Sequence, residues 1–287
     1  MKIIVNITSI MLLLFIASGS IAAQSLPSEK GSRPARLGKS QIVDNSFMEC
    51  IYEHSIYDPI SDETEINDWI LEIGRKASRY GNYNFYLRDS IFVADYNGKP
   101  TLDEYDKVSK KVGSCSQTET LKIFNENKLN HYEGIFIDYY VYTEELPEFD
   151  WKISNETDEI CGYRCRKATA EFRGRTWDAW YAEEIQISNG PLKFGGLPGL
   201  ILKIEDEKKE HIFEAIQLRK SNKDFGYRLK SFRIPTDRKT FNKMMYDFRS
   251  DVSSFFLANP SVAPTKADGS PAVPPKRRLF YNPVEID

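Results

Sequence analysis

The side chains best equipped for chemistry in this chain are four cysteines, three histidines and two pairs of adjacent carboxylates. Cys50, Cys115, Cys161 and Cys165 form an even set, which in an exported protein points to disulfides with three possible connectivities. An i, i+4 pair on an extended strand is separated by about 13 Å, beyond the ~4.4–6.8 Å between Cα atoms that a disulfide spans. Cys161 and Cys165 can therefore bridge only if Gly162 breaks the strand; otherwise each reaches Cys50 or Cys115. A sharper reading makes Cys161-Gly-Tyr-Arg-Cys165 a copper or redox site, because thiolates select soft metals. His54, His131 and His211 have no i, i+4 partner and no His-x-His pairing, so a metal site would have to be assembled across the fold, and none is predicted. Asp158-Glu159 and Glu183-Glu184 are adjacent pairs; on a strand neighbours point to opposite faces and do not converge for acid–base work. The sequence contains neither a Gly-x-Ser-x-Gly elbow nor a phosphate-binding glycine loop leading into a helix. No catalytic residue and no cofactor is predicted, and the chain reads as a non-enzyme.

Aromatic residues are the other resource, at 13% of the chain with 16 Tyr and 17 Phe. Trp151, Tyr163, Phe172 and Trp180 are clustered along one stretch with Trp177 and Tyr181. They could line an apolar cavity or fill an ordinary core, and the first four are the candidate ligand-binding residues.

The elements that would position them are mostly strands. The stretch Asn189 to Asp206 carries Gly190-Pro191, Gly195-Gly196 and Pro198-Gly199, three breaker pairs, followed by the apolar run Leu200, Ile201, Leu202 and Ile204. A turning loop thus feeds a buried strand. Around it, strands are predicted over 42–57, 132–142, 150–154, 163–172, 176–182, 200–204 and 211–218. Hairpin turns are expected at Arg173-Gly-Arg175 and at Asp206 to Glu210. Ile66, Trp69, Ile70 and Ile73 have helix-like spacing, but Gly74 and the breaker run Tyr80-Gly81-Asn82-Tyr83-Asn84 argue against a long helix, and a strand with Trp69, Leu71 and Ile73 on one face fits as an alternative; 96–111 reads as a charged helix or loop. Phe241, Met244, Met245, Phe248, Val252, Phe255 and Phe256 follow helical spacing, with Thr236 or Asp237 as cap and Asn259-Pro260 as stop. The predicted fold is mainly β, a curved antiparallel sheet or half-barrel packed against this C-terminal amphipathic helix.

Residues 1–23 have the form of a cleaved secretory signal: Lys2, the apolar core Ile10 to Ala17 and small residues near Ala23. Polar interruptions make the run too short for a transmembrane anchor. Residues 24–40 read as a flexible leader, and 41–287 as one domain with a Pro- and Ala-rich linker at 258–276. The formal net charge of −3, with signs interspersed, argues against nucleic acid as a partner.

The motif Gly196-Leu197-Pro198-Gly199-Leu200-Ile201, with Ile70 to Ser78, Ile160 to Thr169, Phe172 to Arg175 and Tyr281 to Glu285 in the same order, resembles the GLPGLI family of secreted bacterial proteins. Gln186 stands where that family is expected to have proline, and Leu192 where it often has tryptophan. The resemblance implies an exported, periplasmic or secreted protein and names no reaction; the motif glycines themselves read as structural. The expected role is a non-catalytic envelope binding protein for an apolar or lipid-like ligand, comparable in fold to half-barrel carriers of acyl chains. The alternatives are an interaction protein engaging another envelope component, and the thiol-based copper or redox protein.

Overall fold

The computed structural model describes residues 31–228, 232–259, 263, 265, 266, 269 and 272–287. The predicted signal segment lies outside the described residues, and the leader and the 258–276 linker lie partly outside them. Of the leader, Pro34 is bridged to Thr101 and the Ala35 N–H donates to the Pro100 carbonyl at 2.8 Å.

Ten of the twelve strands among the described residues fall into two runs of antiparallel neighbours. One run is β2 (Glu63–Gly74), β3 (Ala77–Asn82), β4 (Glu119–Ile123), β5 (Lys128–Ile135) and β6 (Asp138–Glu145); the other is β7 (Lys152–Ile160), β8 (Tyr163–Phe172), β9 (Arg175–Ala182), β10 (Leu200–Asp206) and β11 (His211–Arg228). The long strand β1 (Ser40–Asp58) lies between them, so that a single sheet runs β12-β6-β5-β4-β3-β2-β1-β11-β10-β9-β8-β7. The two-residue β12 (Ile234–Pro235) pairs in parallel with β6. The predicted mainly β architecture is what the chain adopts.

Turn chemistry accounts for the joints. Cys161 and Gly162 have φ of 53° and 80°, and Arg173 and Gly174 have 47° and 83°. Two consecutive left-handed residues make the tight hairpin turn whose twist matches antiparallel strands. The 132–142 stretch, read from sequence as one segment, is instead a hairpin: Phe136, at φ 57°, turns the chain between β5 and β6. An apolar residue in the left-handed region gave no signal a sequence reading could use. Helix α1 (Tyr83–Tyr96) begins where Gly81-Asn82-Tyr-Asn84 suggested only a break, because the Asn82 side chain accepts from the Phe85 N–H and caps it. Helix α2 (Leu102–Val112) starts with a capping box between Thr101 and Glu104.

The C-terminal helix is two helices. Asp237 caps α3 (Arg238–Ser250), and Asp251, extended at φ −154°, stops it and caps α4 (Val252–Ala258) through the Ser253 and Ser254 N–H groups.

Alternation along the strands sends residues to two faces. Ile51 and Ile70 pack with Tyr86 of α1 on one face, while Tyr52, Leu71, Ile73 and Tyr80 turn to the other. There they join the main core with Trp177, Tyr181, Phe194, Leu197, Ile201 and Phe213. Helix α3 covers the β5–β6 end of the same face, where Phe241, Met245 and Phe248 pack on Ile135 and Tyr142. No helix among the described residues is long and apolar enough to cross a membrane.

Candidate functional site

Between α3, the segment 280–285 and the inner face of the sheet lies a cleft of about 250 Å³. Its floor follows from strand register. Tyr142, His131, Thr120 and Tyr80 stand directly opposite one another across β6, β5, β4 and β3, so their side chains form a row across the strands. Trp69 of β2 lies flat on Tyr80, with centroids 5.3 Å apart and planes 6° from parallel. The row is polar as well as aromatic: the Thr120 hydroxyl and His131 Nδ1 are 2.9 Å apart, and His131 Nε2 lies 3.0 Å from Glu133.

The glycine-rich loop supplies one wall. Phe194 and Leu197 anchor it in the core while Leu192 and Lys193 turn into the cleft. Lys193 donates to the Tyr142 hydroxyl at 2.9 Å and pairs with Glu144 at 2.8 Å and Glu285 at 2.5 Å. Beneath the loop, the buried Lys122 ammonium donates to Asn189 Oδ1 at 3.0 Å, the Gly190 carbonyl at 3.1 Å and the Phe194 carbonyl at 2.5 Å. Burial pulls Lys122 down to about 7, against the pull of three acceptors that favour its charge. Of the motif glycines only Gly196 has a positive φ, at 86°. Gly199 is required for a different reason: a Cβ there would sit 2.3 Å from the Ala182 carbonyl oxygen.

The opposite wall is 280–285, pinned by cations. Arg278 holds Asp58, Arg175 holds Asn282, and Arg173, Lys193 and Arg238 converge on Glu285. The three cations keep the Glu285 carboxyl below its ordinary range despite its burial. At the inner end, His54 stacks on Phe213 with centroids 3.6 Å apart, and its Nε2 meets His211 Nδ1 at 3.2 Å. Two histidines that looked isolated in sequence are thus neighbours, through the pairing of β1 with β11. Burial holds both well below the usual imidazole range, His211 at about 3, so the pair is neutral near pH 7.

The four aromatic residues singled out from sequence lie away from this cleft. Phe172 is buried in the core, and Tyr163 packs at its margin. Trp151 donates its indole N–H to the Gly195 carbonyl at 2.9 Å, which props the loop from outside. Trp180 carries Lys167 and Lys203 over its ring at 5.5 and 5.6 Å. The cleft residues were missed because the row that brings them together is set by strand register rather than by spacing along the chain.

All four cysteines are free thiols, so the anticipated disulfides are not formed. Gly162 does break the strand, but the turn leaves Cys161 exposed while Cys165 and Cys50 point into the core. Burial pushes the Cys165 thiol up to about 11 and Cys50 further, which makes them poor thiolate ligands. Among the described residues, no group of three or more His, Cys, Asp or Glu is arranged to hold a metal ion.

Residues 116–243 match the family model described as "N-glycanase peptide, N-terminal domain", a span that includes β4 to β11, the glycine-rich loop and the first turn of α3. Two solved structures of PNGF-II, in P21 and C2 crystal forms, are 16% and 17% identical to this chain. Their TM-scores are 0.46 and 0.47, and the match covers 71% of this chain in both cases. It covers 34% and 33% of the PNGF-II chains, so the present chain spans about a third of their length. No curated protein matches the chain.

Proposed function

We propose that this chain is an exported, non-catalytic binding protein of the GLPGLI type and that its cleft takes a saccharide. The observation that carries the reading is the composition of the lining. A flat stacked pair, Trp69 and Tyr80, adjoins His131 and Tyr142, with Glu65, Glu133, Lys193 and Arg249 around them. A sugar ring offers an apolar C–H face to an aromatic plane and hydroxyls at its rim, and this lining supplies a partner for each. An acyl chain, the ligand class expected from the sequence, would leave the same carboxylates and cations facing methylene groups, at the cost of their desolvation. The volume of about 250 Å³ lies just under the usual range of small-molecule sites, roughly 300–1,000 Å³. The match to a family model described as an N-glycanase peptide, N-terminal domain is consistent with a glycan-directed role.

The test is a titration of ¹⁵N-labelled protein with neutral oligosaccharides and, in parallel, with oleate. The expected outcome is saturable shifts at β3, β5 and loop residues 192–193 with saccharide. Uptake of oleate without any response to saccharide would overturn the reading in favour of a lipid carrier.

A further inference from the structure

One end of the cleft leaves its charges unmatched. Glu65 of β2 lines it, and its carboxylate makes no hydrogen bond or ion pair among the described residues. Facing it from α3 is Arg249, which acts electrostatically on the Glu65 carboxyl without contacting it. Among the described residues, the Arg249 guanidinium donates a single long 3.5 Å bond, to the Phe280 carbonyl, and its buried Nε has no partner. Four residues along β2 on the same face, a Cα separation of about 13 Å, the Trp69 indole N–H is also buried without a partner, as is the Tyr80 hydroxyl stacked on it. Buried donors left unpaired are uncommon and cost stability; Trp69, Tyr80 and Arg249 all belong to the lining of the cleft. Of the carboxylates that line the cleft, Glu285 and Glu119 are matched by cations and Glu133 lies against His131, which leaves Glu65 as the acceptor open to a ligand.

We propose that Glu65 and Arg249 are the polar anchor of a neutral disaccharide unit: one hydroxyl of a vicinal pair donates to the Glu65 carboxylate, its neighbour accepts from Arg249, and the second ring rests on the Trp69–Tyr80 pair. This rests on the saccharide reading of the cleft. The 13 Å span is one that two linked rings cover and one ring does not. A uronate seated on the anchor would set its carboxylate against that of Glu65, which disfavours acidic sugars.

The anchor makes binding depend on pH. Burial pushes the Glu65 carboxyl up to about 7; Arg249 opposes this, while Glu63 on its own strand and Asp58 on β1 add to it. Asp58 is itself held by Arg278. Across the cleft stand Glu133 and Tyr281, whose phenol is pushed up to about 12, and His54 is kept neutral by burial. Binding therefore strengthens as pH rises through 7, when Glu65 becomes the charged acceptor.

The experiment is calorimetric titration with lactose, mannobiose and diacetylchitobiose between pH 6 and 8, on the wild-type chain, Glu65→Gln and Arg249→Met, with cellobiouronic acid as the acidic probe. At least one neutral disaccharide is expected to bind the wild type roughly tenfold more tightly at pH 8 than at pH 6, with the acidic probe weaker. Glu65→Gln is expected to match wild type at pH 6 and to lose the pH dependence, and Arg249→Met to weaken binding at both. A Glu65→Gln protein with wild-type affinity and pH profile would overturn the anchor and leave the saccharide cleft standing. Equal or tighter binding of the acidic probe would overturn the charge argument. A wild type that binds none of the sugars would remove cleft reading and anchor together.

Discussion

The two arms of the sheet, β2–β6 and β7–β10, are built alike and finished differently. In the β7–β10 arm the inner face is filled: Trp177, Tyr181, Ile201 and Ile204 are buried, and the glycine-rich loop folds Phe194 and Leu197 back onto them. In the β2–β6 arm the inner face carries Tyr80, Thr120, His131 and Tyr142, and α3 with segment 280–285 covers it without filling it. Burying apolar area gives the first arm its stability, at roughly 25 cal/mol per Å². The second keeps polar groups that need partners, which is what a binding surface requires. Aromatic content alone does not separate the arms; the partners of the aromatic rings do.

The sharpest way to break this division is Gly199→Val. Its Cβ meets the Ala182 carbonyl oxygen, so β9 and β10 must separate, and we expect a loss of about 3 kcal/mol in urea unfolding. Unfolding at the wild-type midpoint would mean that the filled arm is not what holds the sheet together. Next in size, Trp69→Ala should weaken saccharide binding about tenfold, or about 1.4 kcal/mol, whereas Trp180→Ala, beneath its two lysines, should leave it unchanged. Equal losses from both would erase the distinction between the arms.

A smaller effect concerns pH and stability. Because the native Glu65 carboxyl titrates near 7, above its ordinary value of 4.5, the folded state keeps a proton that the unfolded chain has lost between those values. Its contribution to wild-type stability accordingly falls as pH rises through that window. Glu65→Gln cannot ionise, so at pH 8 it should be more stable than wild type by about 1 kcal/mol, after allowance for solvent screening. The two proteins should converge near pH 4, and a constant gap in thermal melts across the range would contradict the assignment. Smallest of all, Glu207→Ala in the exposed β10–β11 turn should change stability by no more than about 0.5 kcal/mol. A larger change would show that this turn sets register.

How much of this could be read in the sequence also differs between the arms. In the filled arm the turns are marked by glycine, at Cys161-Gly162 and Arg173-Gly174, and the strands between them were recovered closely. In the cleft arm the β5–β6 turn uses Phe136, and α1 begins at an asparagine cap inside a run that looked like a breaker. Trp69, Leu71 and Ile73 do share one face of β2, but alternation alone did not decide it, because Ile66, Trp69, Ile70 and Ile73 also fit helical spacing. The cleft was not legible: Trp69, His131, Lys193 and Arg249 meet only through register, loop placement and helix docking. The Asp251 break was hidden by an apolar spacing that continues across it.

The seam between the arms has a consequence for how the molecule forms. The pairings within each arm join strands consecutive in sequence, but β1 meets β11 through partners such as Glu49 and Arg219, 170 residues apart, whose side chains are joined at 2.6 Å. Closing so long a loop is entropically expensive and slow relative to local pairing. The arms can acquire their hairpins early, while the seam waits for both. Until it closes, β1 and β11 are long strands with unpaired edges, open to pairing with another copy of the chain. The same seam brings His54 beside Phe213 at the inner end of the cleft. Appearance of the binding site should therefore track the last and slowest phase of refolding, rather than the first gain of β-structure.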